Sequence, residues 1–116
     1  VDMVSSTDVG RAAARALLDP VDGSRIVGVA GPQSYTPNDV ATTLADLLGK
    51  DVSPAILPRD QWDGIWQTLN WSPDRCRLYG EFFENLNSGH IVFSADTEIW
   101  RGNDTLRDVL ETVLAG

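Results

Sequence analysis

The sequence is poor in the residues that build disulfides, metal sites and nucleic-acid surfaces. Cys76 is the only cysteine and His90 the only histidine among 116 residues, so no internal disulfide can form and His90 alone cannot make a metal site. Seventeen Asp and Glu outnumber nine Lys and Arg, for a net charge of −8, and such a chain repels a phosphate backbone. We therefore expect no nucleic-acid partner and, from the sparse cysteine, a cytoplasmic location.

Long apolar runs are missing as well. No stretch approaches the roughly 20 apolar residues that cross a bilayer, and no signal peptide is visible, so we expect no membrane partner. The sequence begins at Val1. Met3 is either a start that follows two extra residues, or Val1 marks an excised fragment.

The chain has the composition of one folded domain, Val1–Gly116. The chain is 42% hydrophobic and 22% charged, and its length supports a modest core. Short extended stretches alternate with helical patterns, which predicts an α/β (α+β) fold with a small mixed sheet of short strands and about five helices. The predicted strands are Val1–Ser5, Arg25–Ala30, Asp51–Leu57 and Ile91–Phe93.

The clearest local signal is the start of one helix. Thr36 is a predicted N-cap, Pro37 occupies the first helical position, and Asp39 follows three residues after the cap, where it can complete a capping box. Other helices are predicted to begin near the residues Ser6 or Thr7, Ser72, and Asn103 or Asp104.

Aromatic side chains are concentrated on two adjacent predicted helices in the second half of the chain. One interpretation is a core built from aromatic rings. The other is an apolar ligand pocket between the helices, with Asn87 and His90 as its polar groups. The candidate pocket residues are Trp62, Trp66, Tyr79, Phe82, Phe83, Asn87 and His90.

Catalytic motifs are not found. No Ser-x-x-x-Lys, Tyr-x-x-x-Lys or Ser/His/Asp arrangement is present; Phe83 stands four residues after Tyr79, and Lys50 is the only lysine. The Asp8 carboxylate is explained by its place in the first turn of a helix, where negative charge is favourable. We assign no catalytic, cofactor-binding or metal-binding residue.

Five segments carry a resemblance to a known family. Val1–Ala14 contains a passage from strand to helix with Asp-Val-Gly-Arg-Ala, and Ala30–Ala41 contains Gly-Pro followed by Tyr-Thr. Leu47–Trp62 contains Leu-Gly-Lys-x-Val and Leu-Pro-Arg-x-x-Trp, and the turns Asn87–Ile91 and Gly102–Leu106 follow. In order and spacing these segments resemble the C-terminal, substrate-side part of NmrA-like proteins, which are atypical short-chain dehydrogenases/reductases.

The resemblance implies a substrate-binding domain without its cofactor domain. The family's dinucleotide fingerprint, Gly-x-x-Gly-x-x-Gly after a first strand, is absent, so the chain lacks the dinucleotide-binding Rossmann half. NAD(P) is the cofactor of full-length relatives, and we expect none for this chain alone.

Two functions are therefore compatible with the sequence. The chain is either the substrate-side part of an NmrA-like NAD(P)-dependent oxidoreductase or redox-sensing regulator, not catalytic by itself, or a stand-alone non-catalytic binding or assembly protein. In either case Val1–Val4 and the helix face of Ala12, Ala13 and Ala16 need cover. We expect a homodimer or a missing cofactor domain to provide it.

Overall fold

A computed structural model describes all 116 residues and contains five α-helices and two short β-strands. The predicted mixed α/β fold with about five helices is confirmed. The residues separate into two compact units. The sheet unit comprises Val1–Pro54 and Ala95–Gly116, and the aromatic unit comprises Ala55–Ser94.

The elements are distributed unevenly between the two units. The aromatic unit is all helical, whereas the sheet unit holds both strands and three helices. In chain order the elements are α1 Ser6–Leu18, β1 Val27–Ala30, α2 Pro37–Leu48, α3 Trp62–Thr68, α4 Pro73–Asn87, β2 Glu98–Arg101 and α5 Leu106–Ala115, with a 3₁₀ turn at Arg59–Gln61 before α3.

The sheet consists of two parallel strands. β1 pairs with β2 in the register Val27↔Glu98 to Ala30↔Arg101, and the ladder is extended by the Gly102 amide, which donates to the Ala30 carbonyl oxygen at 2.7 Å. Parallel strands usually lie inside larger sheets that are covered on both faces. A two-stranded parallel sheet therefore leaves two outer strand edges without a ladder partner.

Three predicted strands are wrong, and one strand was missed. Val1–Ser5 makes only an isolated antiparallel bridge, Asp2↔Ser34, and Asp51–Leu57 and Ile91–Phe93 form no strand. A β-rich segment becomes a strand only where a partner edge lies within hydrogen-bonding reach, and Pro54 also lacks the amide that a ladder needs. Glu98–Arg101 has such an edge, because it lies beside β1.

The helix starts follow the predicted chemistry with small shifts. Thr36 caps α2 in a full capping box with Asp39, as predicted, and Ser72 caps α4. The cap of α1 is Ser5 rather than Ser6 or Thr7. The cap of α5 is Thr105, not Asn103 or Asp104, because Thr105 forms its own capping box with Asp108.

The core of the sheet unit is small. Its buried apolar residues include Ala30, Tyr35, Ala41 and Trp100. The Tyr35 hydroxyl accepts the Leu106 amide at 3.0 Å, so this ring links the start of α5 to the segment before α2. No helix in either unit has the length and apolar character needed to cross a membrane.

Candidate functional site

The aromatic unit is organised around a continuous series of ring contacts. Trp66, the most buried ring of the unit, lies 5.7 Å from Trp62 and 6.2 Å from Phe83, measured between ring centroids. Phe83 in turn contacts Phe82 at 5.3 Å and Tyr79 at 6.3 Å. These are the distances at which aromatic pairs attract one another beyond simple burial. The five predicted aromatic pocket residues are thus brought together, with their rings against each other.

A sixth ring completes the series, and the two predicted polar groups lie outside it. Trp71 stacks on Trp66 at 5.6 Å, although it lies between helices, where helical spacing gives no sign of the contact. Asn87 is the exposed last residue of α4. His90 is exposed beyond the helix, with its Nδ1 2.5 Å from the Ser88 hydroxyl. Neither makes a ring contact, so an apolar ligand held by these two groups remains a hypothesis.

A cleft of about 370 Å³ runs between α3 and α4, and five of its eight lining residues are polar or charged. Trp71, Pro73 and the buried thiol of Cys76 supply its apolar part. The thiol lies 4.0 Å from the Trp71 carbonyl oxygen, to which it donates. None of the seven predicted pocket residues lines this cleft. Its remaining lining residues are Arg59, Asp63, Gln67, Arg77 and Glu81.

Arg59 is held at one end of the cleft by two contacts. Its Nε donates to Glu84 at 2.5 Å, and its guanidinium carbon lies 4.8 Å from the Trp62 ring centroid. A Cβ on Gly80 would lie 3.2 Å from the Arg59 Nη2 atom, so a glycine inside α4 makes room for the guanidinium. A glycine inside a helix lowers stability by about 1 kcal/mol relative to alanine. At position 80 this loss is accompanied by a close approach of the Arg59 guanidinium to α4.

The sheet unit has its own polar centre at the first turn of α1. The Asp8 carboxylate is buried and accepts the Asp104 amide at 2.8 Å and the Arg11 guanidinium at 2.9 Å. The Asp104 amide, followed by Arg11, holds the pKa of Asp8 below its ordinary value against the opposing effect of desolvation. Asp8 therefore joins α1 to the segment before α5, and its hydrogen bonds assign it a structural role.

Two further contacts tighten the same region. The Ser5 hydroxyl donates to Asp104 at 2.6 Å. A Cβ on Gly102 would lie 2.1 Å from an Asp8 carboxylate oxygen, so only glycine fits there without displacing the carboxylate.

Two arginines lie over the ring of Trp100, on β2. The guanidinium carbons of Arg15 and Arg25 lie 3.8 Å and 5.1 Å from its ring centroid. Its indole N–H donates to Glu98 at 2.8 Å, and Glu98 pairs with Arg25. The hydrogen bond from Arg25, and then the one from Trp100, lower the pKa of Glu98. Cation–π contacts thus hold α1 and the β1–β2 region together.

The residues after β1 do not fit a nicotinamide dinucleotide. A pyrophosphate needs free amides at a glycine-rich helix start. Here the Asp39 carboxylate already accepts the Thr36 amide at the start of α2, at 2.7 Å, and would repel an anion. The space beside Gly31 is filled by the Met3 carbonyl, which lies 2.1 Å from where a Cβ would be. Nor does any group of three or more His, Cys, Asp and Glu side chains form a candidate metal centre.

No protein-family model matches the chain, and neither a curated protein nor a solved structure matches it.

Proposed function

We propose that the chain is the substrate-side part of an NmrA-like NAD(P)-dependent oxidoreductase or redox-sensing regulator, and that it acts as a non-catalytic assembly module that self-associates through α1. The ancestry is supported by the order of the five motifs described above. The assembly role is supported by one observation above all, which is the orientation of α1.

The helix α1 buries one charged residue, Asp8, and leaves most of its apolar residues exposed. Its charged residues Asp8 and Arg15 contact the rest of the sheet unit, through the Asp104 amide and the Trp100 ring. Its apolar residues Val9 and Leu17 are 44% and 81% exposed, and Ala13 between them is exposed as well. A surface helix normally buries its apolar stripe and exposes its charges, so this apolar strip is explained by a partner.

The strip is suited to a second copy of the same chain. Val9, Ala13 and Leu17 follow one another at intervals of four residues and are uncharged, whereas the chain as a whole has a net charge of −8. Two such strips can approach closely about a twofold axis, because the alanine at the centre leaves room for the backbones. Ala16 is also exposed, whereas Ala12 is half-buried beside Val29.

Self-association is tested by sedimentation equilibrium of the unmodified chain and of Ala13→Glu. We expect a dimer that the glutamate converts to a monomer, because two buried carboxylates would meet at the axis. Ala14→Glu is the matched control, since the same substitution lies 100° around the same helix. A monodisperse monomer of the unmodified chain at high concentration would overturn the assembly role.

The non-catalytic part of the proposal is tested separately by calorimetry with NADH and NADPH. We expect no heat of binding, since the turn from β1 to α2 carries the Asp39 carboxylate. Micromolar affinity for either cofactor would contradict the proposal. Monomeric protein that becomes stable only when mixed with a separate dinucleotide-binding domain would identify that domain, rather than a second copy, as the partner.

A further inference from the structure

The cleft between α3 and α4 contains two opposite charges that lie near each other but are not paired with each other. Arg59 and Asp63 both line it, and the Asp63 charge adds to the effect of Glu84 in raising the pKa of Arg59. Asp63 nevertheless makes no hydrogen bond and no ion pair within 4.0 Å. Arg77 is paired with Glu81 at 2.9 Å, and Arg59 is paired with Glu84 through its Nε atom. The cleft therefore still offers the two Nη atoms of Arg59 and the unpaired carboxylate of Asp63.

The cation is positioned in advance of any ligand. Glu84 engages only the Nε of Arg59, so both Nη atoms keep donors that no protein group accepts. The guanidinium lies over the Trp62 ring and in the space left by Gly80, and its side chain is 51% exposed. An arginine with free terminal donors is suited to a carboxylate, which it binds through two parallel hydrogen bonds.

The rest of the cleft offers a place for an apolar body. Beyond the two charges it is lined by Trp71, Pro73 and the buried Cys76 thiol, and the Gln67 amide has no protein partner. The volume of about 370 Å³ lies at the lower end of the range of small-molecule sites.

We infer that this cleft binds a small zwitterion of the free amino-acid type. The ligand carboxylate lies on the Nη atoms of Arg59, its ammonium group lies on the Asp63 carboxylate, and its side chain lies over Cys76 and Trp71. This site is independent of the proposed assembly through α1, since every residue of it belongs to the aromatic unit.

The ligand class is tested by titrating the full chain with free amino acids, from glycine to phenylalanine, while amide chemical shifts are followed by NMR. Leucine is compared with 3-methylbutylamine, which lacks the carboxylate, and with 4-methylpentanoate, which lacks the ammonium group. We expect an amino acid to shift the amides around Asp63 and Cys76, and each analogue to bind at least about tenfold more weakly, the loss of one charged hydrogen-bonded contact. Equal binding of all three compounds, or no shift from any amino acid up to about 10 mM, would overturn the inference.

Single substitutions test the contribution of each charge to ligand binding. Arg59→Gln should abolish the advantage of leucine over the amine, and Asp63→Asn its advantage over the acid. Arg107→Gln, which removes an arginine paired with Asp46 in the sheet unit, should change neither.

Two glycine substitutions control for helix stability. Gly80→Ala adds the Cβ that displaces Arg59 and should weaken amino-acid binding. Gly64→Ala adds a Cβ with nothing within 4 Å and should leave binding unchanged. Both favour helix formation, so equal effects of the two on binding would contradict the role given to Arg59.

Discussion

In the sheet unit the most buried polar group is a carboxylate, Asp8, whereas the aromatic unit is centred on an indole, Trp66. The sheet unit joins distant segments through hydrogen bonds and charges, as between Asp8 and the Asp104 amide or between Trp100 and its arginines. The aromatic unit joins two neighbouring helices through rings. The comparison teaches that one short chain uses two kinds of cohesion, which respond to different perturbations.

The largest effect is expected from removing the central ring of the aromatic unit. Trp66→Ala deletes contacts with Trp62, Trp71 and Phe83 and should destabilise this unit by about 3–5 kcal/mol, the usual cost of truncating a buried aromatic residue. Amide signals of residues 55–94 should collapse in an NMR spectrum while those of α2 and α5 persist. Equal loss of signal in both units would show that the comparison is wrong.

The corresponding test in the sheet unit adds an atom instead of deleting one. Gly102→Ala places a Cβ against the Asp8 carboxylate and should destabilise this unit by about 2–3 kcal/mol, a typical cost of overpacking. Chemical denaturation followed by amide signals from α1 and β2 measures it. Gly64→Ala, where the new Cβ meets nothing, should instead stabilise the aromatic unit by about 0.5–1 kcal/mol.

The two units should lose stability at different pH values as the solution is acidified. The carboxyl groups with a lowered pKa all belong to the sheet unit and are Asp2, Asp8, Asp39, Glu98 and Asp108. A lowered pKa in the folded state contributes stability above the ordinary value, 3.8 for Asp and 4.5 for Glu, and this stability is lost as the pH falls through the folded-state pKa.

We therefore expect the sheet unit to lose stability progressively below about pH 4.5 and the aromatic unit to keep its structure longer. Unfolding midpoints measured at pH 7, 5, 4 and 3, with amide signals assigned to each unit, test the order. Loss of the aromatic unit first would contradict it.

A small effect should be shared by both units. Thr36→Ala and Ser72→Ala each remove a hydroxyl that accepts an amide at the start of a helix. Each should cost about 1 kcal/mol, the usual value of an N-cap, and denaturation midpoints of the two variants measure it. A cost confined to one unit would mean that the difference between the units extends to local helix chemistry.

How much of this could be predicted from the sequence depends on the range of the interaction. The capping box of Thr36 and Asp39 was predictable because both residues lie within one turn. The strand Glu98–Arg101 was not, because four residues with polar ends form a strand only beside β1, which is about 70 positions earlier. The aromatic residues were predicted to lie together, since helical spacing places them on adjacent helices.

The cleft lay beyond such reasoning for a different physical reason. It depends on where Arg59 lies relative to Gly80, 21 positions apart, and a missing Cβ leaves no periodic signal. The aromatic residues were compatible with a core of rings or with an apolar pocket between the helices, whereas the cleft lies beside the rings and has five polar or charged residues among its eight.

The pairing of β1 with β2 also has a consequence for how the chain forms. Every residue of the aromatic unit lies between these two strands, so the sheet cannot assemble until a ribosome has made residue 101, whereas α3 and α4 can meet as soon as they emerge. Closing a loop of twice the length costs only about 0.6 kcal/mol more. The intervening segment can therefore lengthen, shorten or be exchanged during evolution at little expense to the strands that enclose it.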